Sequence, residues 1–138
     1  MKALVIDDER LARTELIRLL EPFKEIEIVG EAVNADDAHN KISELSPDVI
    51  FLDIQMPGKT GFELLEELDS VPKVIFTTAY DEYALKAFEY NALDYLLKPI
   101  EPARLEESIK KLIEGKRKDR TQDLSHETLT AEDQVFVK

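Results

Sequence analysis

Five short apolar segments of β-forming residues recur along the first hundred residues, and this repetition limits the possible folds more than any other feature. Helical patterns separate them, with apolar residues three and four positions apart, as in Leu16, Leu19 and Leu20. Strands that alternate with helical stretches of about ten or more residues form βαβ units, which build a parallel sheet. The predicted strands are ALVI (3–6), IEIVG (26–30), DVIFL (48–52), KVIFT (73–77) and DYLL (94–97).

The predicted fold class is α/β, with five consecutive βα units. Right-handed crossovers leave few topologies, of which we favour a doubly wound five-stranded parallel sheet in the order 2-1-3-4-5. The three- and four-residue spacing of apolar residues continues to Phe23, which predicts that the first helix extends to that residue. Thr60 and Glu63 form a capping-box pattern that predicts the start of the third helix. Pro102 suits the first turn of the fifth helix.

Composition excludes several classes of protein. The net charge of -12 argues against nucleic-acid binding by the chain as given, since phosphate contacts need a basic surface. No apolar run approaches the roughly 18–20 residues that a membrane-spanning helix needs, so we expect no membrane contact. The absence of cysteine excludes disulfides and is compatible with a cytoplasmic location, which we expect.

Carboxylates follow two of the predicted strands. In an open α/β sheet, ligands bind at the carboxyl ends of the strands where the strand order reverses, here between strands 1 and 3. Asp7 and Asp8 follow strand 1, and Asp53 follows strand 3. Two carboxylates about 4–5 Å apart repel each other by roughly 3–4 kcal/mol at an effective dielectric constant of 20. The cluster therefore predicts a cation, and oxygen ligands favour Mg²⁺.

The other strand ends add a hydroxyl and an ammonium group. Strand 4 ends at Thr77 and Thr78, and Lys98 follows strand 5. A metal ion, a carboxylate, a hydroxyl and a lysine are the groups needed to handle a phosphoryl group. The cation and Lys98 would neutralise the phosphoryl oxygens while Asp53 attacks phosphorus, which gives an aspartyl phosphate.

The order of these residues resembles one known family. They are the pair Asp7-Asp8, Asp53 within DIQMPGKTG, Thr78 before alanine, Tyr95, and Lys98 before proline. Over residues 1–114 the chain resembles a response regulator receiver domain of the CheY-like type. The resemblance implies that a sensor histidine kinase phosphorylates the protein, which catalyses its own phosphorylation and dephosphorylation and is not a turnover enzyme.

The resemblance also implies roles for individual residues. Asp53 would be the phosphoacceptor, and Lys98, joined to Pro99 by a cis peptide bond, would contact the phosphoryl group. The switch would consist of Thr78 and Tyr95, whose ring turns inward when the Thr78 hydroxyl moves to the phosphoryl oxygen. The ligands of Mg²⁺ would be Asp8, Asp53 and the backbone carbonyl of Gln55, with Asp7 reaching the ion through water.

A narrower resemblance concerns the segment TTAYDEYALKAFEYNALDYLLKPIE. It is similar to receivers of the LytR/AlgR type, which carry a LytTR DNA-binding domain after the receiver. Residues 1–114 carry the whole net charge, whereas residues 115–138 contain five acids and five bases. We therefore expect residues 115–138 to be a linker and the truncated start of a LytTR output domain, with DNA bound only through that missing domain.

Aromatic residues cluster on the predicted fourth helix. Tyr80, Tyr83, Phe88 and Tyr90 either pack in the core or form a surface that faces a partner. We expect phosphorylation to promote a homodimer through helix 4, strand 5 and helix 5, because this aromatic segment adjoins the predicted switch residues.

Two other functions fit the pattern less well. A phosphatase of the haloacid dehalogenase type also uses an aspartate nucleophile and Mg²⁺, but it needs a second acid two residues later, where this chain has Gln55. A flavodoxin-like carrier needs a phosphate-binding loop after strand 1. The sequence DDER at that position would repel a phosphate.

Overall fold

The computed structural model describes residues 1–117 of the 138 residues. Five parallel strands form one sheet in the order β2-β1-β3-β4-β5, which confirms the predicted fold and topology. The last helix, α5, covers residues 102–117. The other elements are β1 (Lys2–Ile6), α1 (Arg10–Leu20), β2 (Glu27–Ala32), α2 (Ala35–Leu45), β3 (Val49–Asp53), α3 (Gly61–Glu67), β4 (Lys73–Thr78), α4 (Ala84–Glu89) and β5 (Asp94–Leu97).

The central strand β3 is buried along its whole length. It pairs with β1 on one side and β4 on the other, and all five of its residues lie in the interior. Helices cover both faces of such a sheet, so a continuous run of Val, Ile, Phe and Leu is the expected composition. The position where β3 ends is therefore set by the core, and Asp53 is its last residue.

The helix boundaries follow local signals, with one correction. Thr60 and Glu63 form the predicted capping box at the start of α3. The Asn34 side chain caps α2 by accepting a hydrogen bond from the amide of Asp37. The prediction that α1 reaches Phe23 is wrong, because α1 ends at Leu20. Pro22 follows within two residues and has no N–H with which to continue the helix.

The aromatic segment differs from its prediction as a single helix. Tyr80 precedes a 3₁₀ turn formed by Asp81–Tyr83, and α4 itself contains only six residues. Tyr90 lies beyond the end of α4, so Phe88 alone of the four aromatic residues is inside the helix. The rings explain this break, since those of Tyr83 and Tyr90 pack inward against Phe62.

The chain divides into two compact units within α5, the first being Met1–Ser108 and the second beginning at Ile109. The helix starts at Pro102, as predicted, and continues beyond Gly115 to residue 117. A receiver boundary near residue 115 stays a prediction, and the predicted start of an output domain lies mostly outside the described residues. Among residues 1–117, none of the helices combines the length and apolar character required to cross a membrane.

Candidate functional site

The carboxyl edge of the sheet brings three acidic side chains together. Asp7 and Asp8 follow β1, and Asp53 ends the adjacent strand β3. Carboxylate oxygens of the three residues lie within 4.8 Å of one another. Asp7 and Asp53 are each only 4% exposed, whereas Asp8 is at the surface. The strand order thus produces the cluster that the sequence predicted at the point where the order reverses.

Lys98 provides a positive charge inside this cluster. Its Nζ donates a hydrogen bond to Asp7 Oδ2 at 2.7 Å and lies 3.5 Å from Asp53 Oδ1. The Lys98–Pro99 peptide bond is cis, as the resemblance implied. Burial lowers the pKa of Lys98, but the hydrogen bond to Asp7 and the charges of Asp53 and Asp7 outweigh it, so the pKa lies above its ordinary value. Lys98 is therefore a permanent cation at neutral pH.

The lone lysine does not neutralise three carboxylates. Burial, followed by the charges of Asp7 and Asp8, raises the pKa of Asp53 to about 7 against the opposing charge of Lys98. A cation that comes close to such a carboxyl group favours its ionised form. The available donors are all oxygens and include one exposed carboxylate, which suits a hydrated Mg²⁺ ion. The residues present therefore fit the metal that the sequence predicted.

The two predicted switch residues meet at the backbone of Tyr80. The hydroxyl oxygen of Thr78 accepts a hydrogen bond from the Tyr80 amide at 3.1 Å. The Tyr95 hydroxyl donates to the Tyr80 carbonyl. Thr78 is 1% exposed, and Tyr95 is partly buried against the core. Both side chains therefore hold the backbone of Tyr80 in the loop after β4.

Gln55 lies in the loop that connects Asp53 to α3. Its side-chain amide donates to the hydroxyl of Tyr83 in the 3₁₀ turn before α4. This contact gives the loop a direct connection to the aromatic segment. The participation of the Gln55 carbonyl in metal binding stays a prediction.

Two residues of the site were missed in the sequence. A Cβ atom on Gly61 would lie 2.6 Å from the backbone oxygen of Asp53, so glycine lets α3 begin against the end of β3. Arg13 on α1 donates from Nη1 to the carbonyl of Asp7 at 3.0 Å. The glycine was visible as the first residue of a capped helix, but the contact of Arg13 requires the folded arrangement of α1 and β1.

A second polar cluster closes the other end of β5. Arg104 donates to Asp94 through both Nη1 and Nη2, at 2.9 and 2.6 Å, and Ser108 also donates to Asp94. Burial raises the pKa of Asp94, but the hydrogen bonds from Arg104, Ser108 and the Tyr95 amide prevail and hold it well below its ordinary value. The cluster therefore keeps a buried carboxylate ionised and fixes the start of the strand that carries Tyr95.

The sheet order, the acidic cluster and the lysine together are typical of one class of protein. Comparison of the sequence with models of known families identifies this class. The chain belongs to the response regulator receiver domain family, which it matches over residues 3–110. It is thus a receiver domain of two-component signalling, a regulator family rather than a group of turnover enzymes.

Individual relatives indicate which kind of receiver domain the chain is similar to. The chain is 44% identical over 137 residues to the sensory transduction protein LytT of Bacillus anthracis, covering 96% of this chain and 56% of LytT. It is 49% identical over 140 aligned positions to the transcriptional regulatory protein BtsR of Salmonella typhi, covering 100% of this chain and 56% of BtsR. The structure of the response regulatory domain of protein mrkE from Klebsiella pneumoniae is 35% identical with a TM-score of 0.76, covering 83% of this chain and 97% of that one.

These relatives confirm the resemblance to receivers of the LytR/AlgR type. The chain spans little more than half the length of LytT and BtsR.

Proposed function

We propose that Asp53 accepts a phosphoryl group from the phosphohistidine of a sensor kinase. One oxygen of its carboxylate attacks phosphorus, a new O–P bond forms, the N–P bond of the phosphohistidine breaks, and the imidazole leaves and takes up a proton from water. The observation that carries this proposal is the position of the buried Asp53 carboxylate, which lies close to the carboxylates of Asp7 and Asp8 and to the ammonium group of Lys98. From this proposed kinase partner we infer a cytoplasmic location.

The remaining residues of the cluster supply charge. Asp8 and Asp53, with the Gln55 carbonyl, would hold Mg²⁺, and Asp7 would bind it through water. The bound ion would supply positive charge to the phosphoryl oxygens. Lys98 already lies 3.5 Å from the Asp53 carboxylate, so its ammonium can move to a phosphoryl oxygen on that side chain.

Intact-mass spectrometry after treatment with acetyl phosphate tests the proposal. The wild-type chain should gain one phosphoryl group in MgCl₂ and none in EDTA, whereas Asp53→Ala should gain none in either. Asp69→Ala is a matched control, because Asp69 is an exposed aspartate in the loop before β4, at the opposite edge of the sheet. Labelling that persists in Asp53→Ala, or that does not depend on a divalent ion, would contradict the proposal.

We further propose that Thr78 and Tyr95 transmit the phosphorylated state. The Thr78 hydroxyl would donate to a phosphoryl oxygen and would no longer accept the hydrogen bond from the Tyr80 amide. The loop at Tyr80 would then shift, and because its carbonyl also accepts the hydrogen bond from Tyr95, the shift would reach that side chain. Phosphorylation can favour this second conformation because only the phosphorylated site offers the new partner for Thr78.

The proposed output of this change is a homodimer through α4, β5 and the first part of α5. Three large apolar side chains are exposed there: Leu85 at 82%, Phe88 at 81% and Leu97 at 44%. Tyr83 and Tyr90 are unsuitable probes of the surface, because they pack against the core.

Sedimentation with and without beryllofluoride would test the dimer. The wild-type chain should dimerise when the phosphoryl mimic is added, and Leu85→Ser with Phe88→Ser should not. Leu11→Ser is the control, since Leu11 is an equally apolar side chain, 77% exposed, on α1. A chain that stays monomeric with the mimic at high concentration would refute the dimer.

For the full-length protein we propose control of transcription through a DNA-binding output domain of the LytTR type. The support is the name of the relative BtsR, a transcriptional regulatory protein, and the greater length of that relative. Because the net charge of this chain is -12, we expect the 138 residues alone not to bind promoter DNA. A mobility-shift assay at low salt with candidate promoter fragments tests this expectation. A sequence-specific shift produced by the 138 residues would contradict it.

A further inference from the structure

The acidic pair after β1 has a cationic partner to which the proposed function gives no role. The side chain of Arg13 on α1 is only 11% exposed, although it carries a full positive charge. Its Nη1 donates to the backbone carbonyl of Asp7 at 3.0 Å, and its Nε donates to Glu31 Oε1 at 2.9 Å. One guanidinium thus joins the loop after β1 to the neighbouring strand β2.

The polar atoms of Asp7 are fixed by four different groups. Its amide donates to β2, its Oδ1 accepts from the amide of Glu9 at 2.9 Å, and its Oδ2 accepts from Lys98. The carbonyl that Arg13 contacts belongs to the peptide group joining Asp7 to Asp8. The orientation of that peptide group sets the direction of the Cα–Cβ bond of Asp8, which carries the exposed carboxylate of the cluster.

We propose that Arg13 is a positioning residue for divalent cation binding: it fixes the Asp7–Asp8 peptide group so that the Asp8 carboxylate is directed at Asp53. This inference rests on the proposed metal site. A purely electrostatic role predicts the opposite effect of removing Arg13, because a cation beside an acidic cluster repels a second cation and its loss would tighten Mg²⁺ binding. The sign of the change in affinity therefore separates the two roles.

Calorimetric titration with MgCl₂ of the 138-residue chain tests this role. Arg13→Met should bind Mg²⁺ roughly tenfold more weakly than wild type, as expected when an outer partner of a metal ligand is lost. Arg13→Lys keeps the charge but not the planar fork with two donors, so it should also bind more weakly. Arg18→Met is the matched control on the same helix, because Arg18 pairs with Glu15 and is 62% exposed; its affinity should equal that of wild type.

A kinetic measurement supplies a second readout. In the reaction with acetyl phosphate, the Mg²⁺ concentration that gives half the maximal rate should rise in Arg13→Met by the same factor as the dissociation constant. The maximal rate at saturating Mg²⁺ should be retained, because Arg13 does not touch the Asp53 carboxylate. Loss of fold would instead lower the amplitude of the reaction.

Far-UV circular dichroism in EDTA shows which variants are folded. If Arg13→Met does not fold, the affinity of Arg13→Lys for Mg²⁺ tests the positioning role instead. An unchanged or tighter affinity for Mg²⁺ in the folded variant overturns the positioning role. Absence of Mg²⁺ binding by the wild-type chain overturns the metal site itself and this inference with it.

Discussion

Replacing Asp53 by asparagine should stabilise the metal-free protein, and by an amount that grows with pH. The folded chain holds the pKa of Asp53 at about 7, against an ordinary value of 3.8. In the unfolded chain the carboxyl ionises above pH 3.8, whereas in the folded chain it stays protonated to about pH 7. Stability is therefore lost as the pH rises through this window, and the full loss is roughly 4 kcal/mol at 25 °C.

Asparagine has nearly the same shape and does not ionise, so the variant should escape this loss. Between pH 5 and pH 8, the stability of Asp53→Asn relative to wild type should increase by about 3 kcal/mol. Urea denaturation followed by circular dichroism at 222 nm, in EDTA, measures this difference. Asp69→Asn is the control, because it removes an exposed carboxyl group, and its stability relative to wild type should not change across the same range.

Addition of MgCl₂ at pH 8 provides an internal check. The ion should stabilise wild type in proportion to its binding and should stabilise Asp53→Asn much less, so the gap between the two proteins narrows. A difference between variant and wild type that is the same at pH 5 and pH 8 would refute the reasoning, and so would a variant that is less stable at pH 8.

Three further predictions concern single substitutions. Asp8→Ala should weaken Mg²⁺ binding in calorimetry, yet raise the free energy of unfolding in EDTA because like-charge repulsion is relieved. Gly61→Ala should destabilise the protein by about 1–3 kcal/mol in urea denaturation, since its Cβ would clash with the backbone oxygen of Asp53; Gly115→Ala, whose Cβ would meet nothing within 4 Å, should not destabilise it. Asp94→Asn should cost roughly 3 kcal/mol at pH 7. That cost should shrink below about pH 4, because the unfolded chain then binds a proton that the folded chain, in which the pKa of Asp94 is lowered, does not bind.

The sheet and the acidic cluster could be predicted because both depend on strand ends. Each apolar run is long enough to cross the core once, so the residue after it must emerge at the carboxyl edge. Asp7, Asp53, Thr78 and Lys98 were located in this way without any knowledge of side-chain contacts. The topology then decides which strand ends are neighbours, and the right-handed crossover rule left few choices.

The aromatic segment could not be predicted because its periodicity is ambiguous. Tyr83 and Tyr90 have the spacing of residues on one helical face, but their rings pack against Phe62 from positions outside α4. Tertiary packing of the rings thus overrides the helical pattern. Arg13 was missed for another reason: an arginine on a helix is ordinarily a surface residue, and its contacts with the Asp7 carbonyl and with Glu31 form only in the folded chain.

The charges of the site explain why a divalent ion suits both proposed states. The carboxylates of Asp7, Asp8 and Asp53 with the ammonium of Lys98 leave a net charge near minus two when all are ionised. A monovalent ion would leave a net charge near minus one in the cluster, whereas a divalent ion would balance it. Phosphorylation replaces the single charge of Asp53 by one close to minus two, so the need for the ion increases at the moment when Lys98 and the Thr78 hydroxyl gain a new acceptor. Metal binding and the switch residues Thr78 and Tyr95 would therefore act together. Because Arg13 orients the metal ligand Asp8, it would set how strongly metal binding is coupled to the switch.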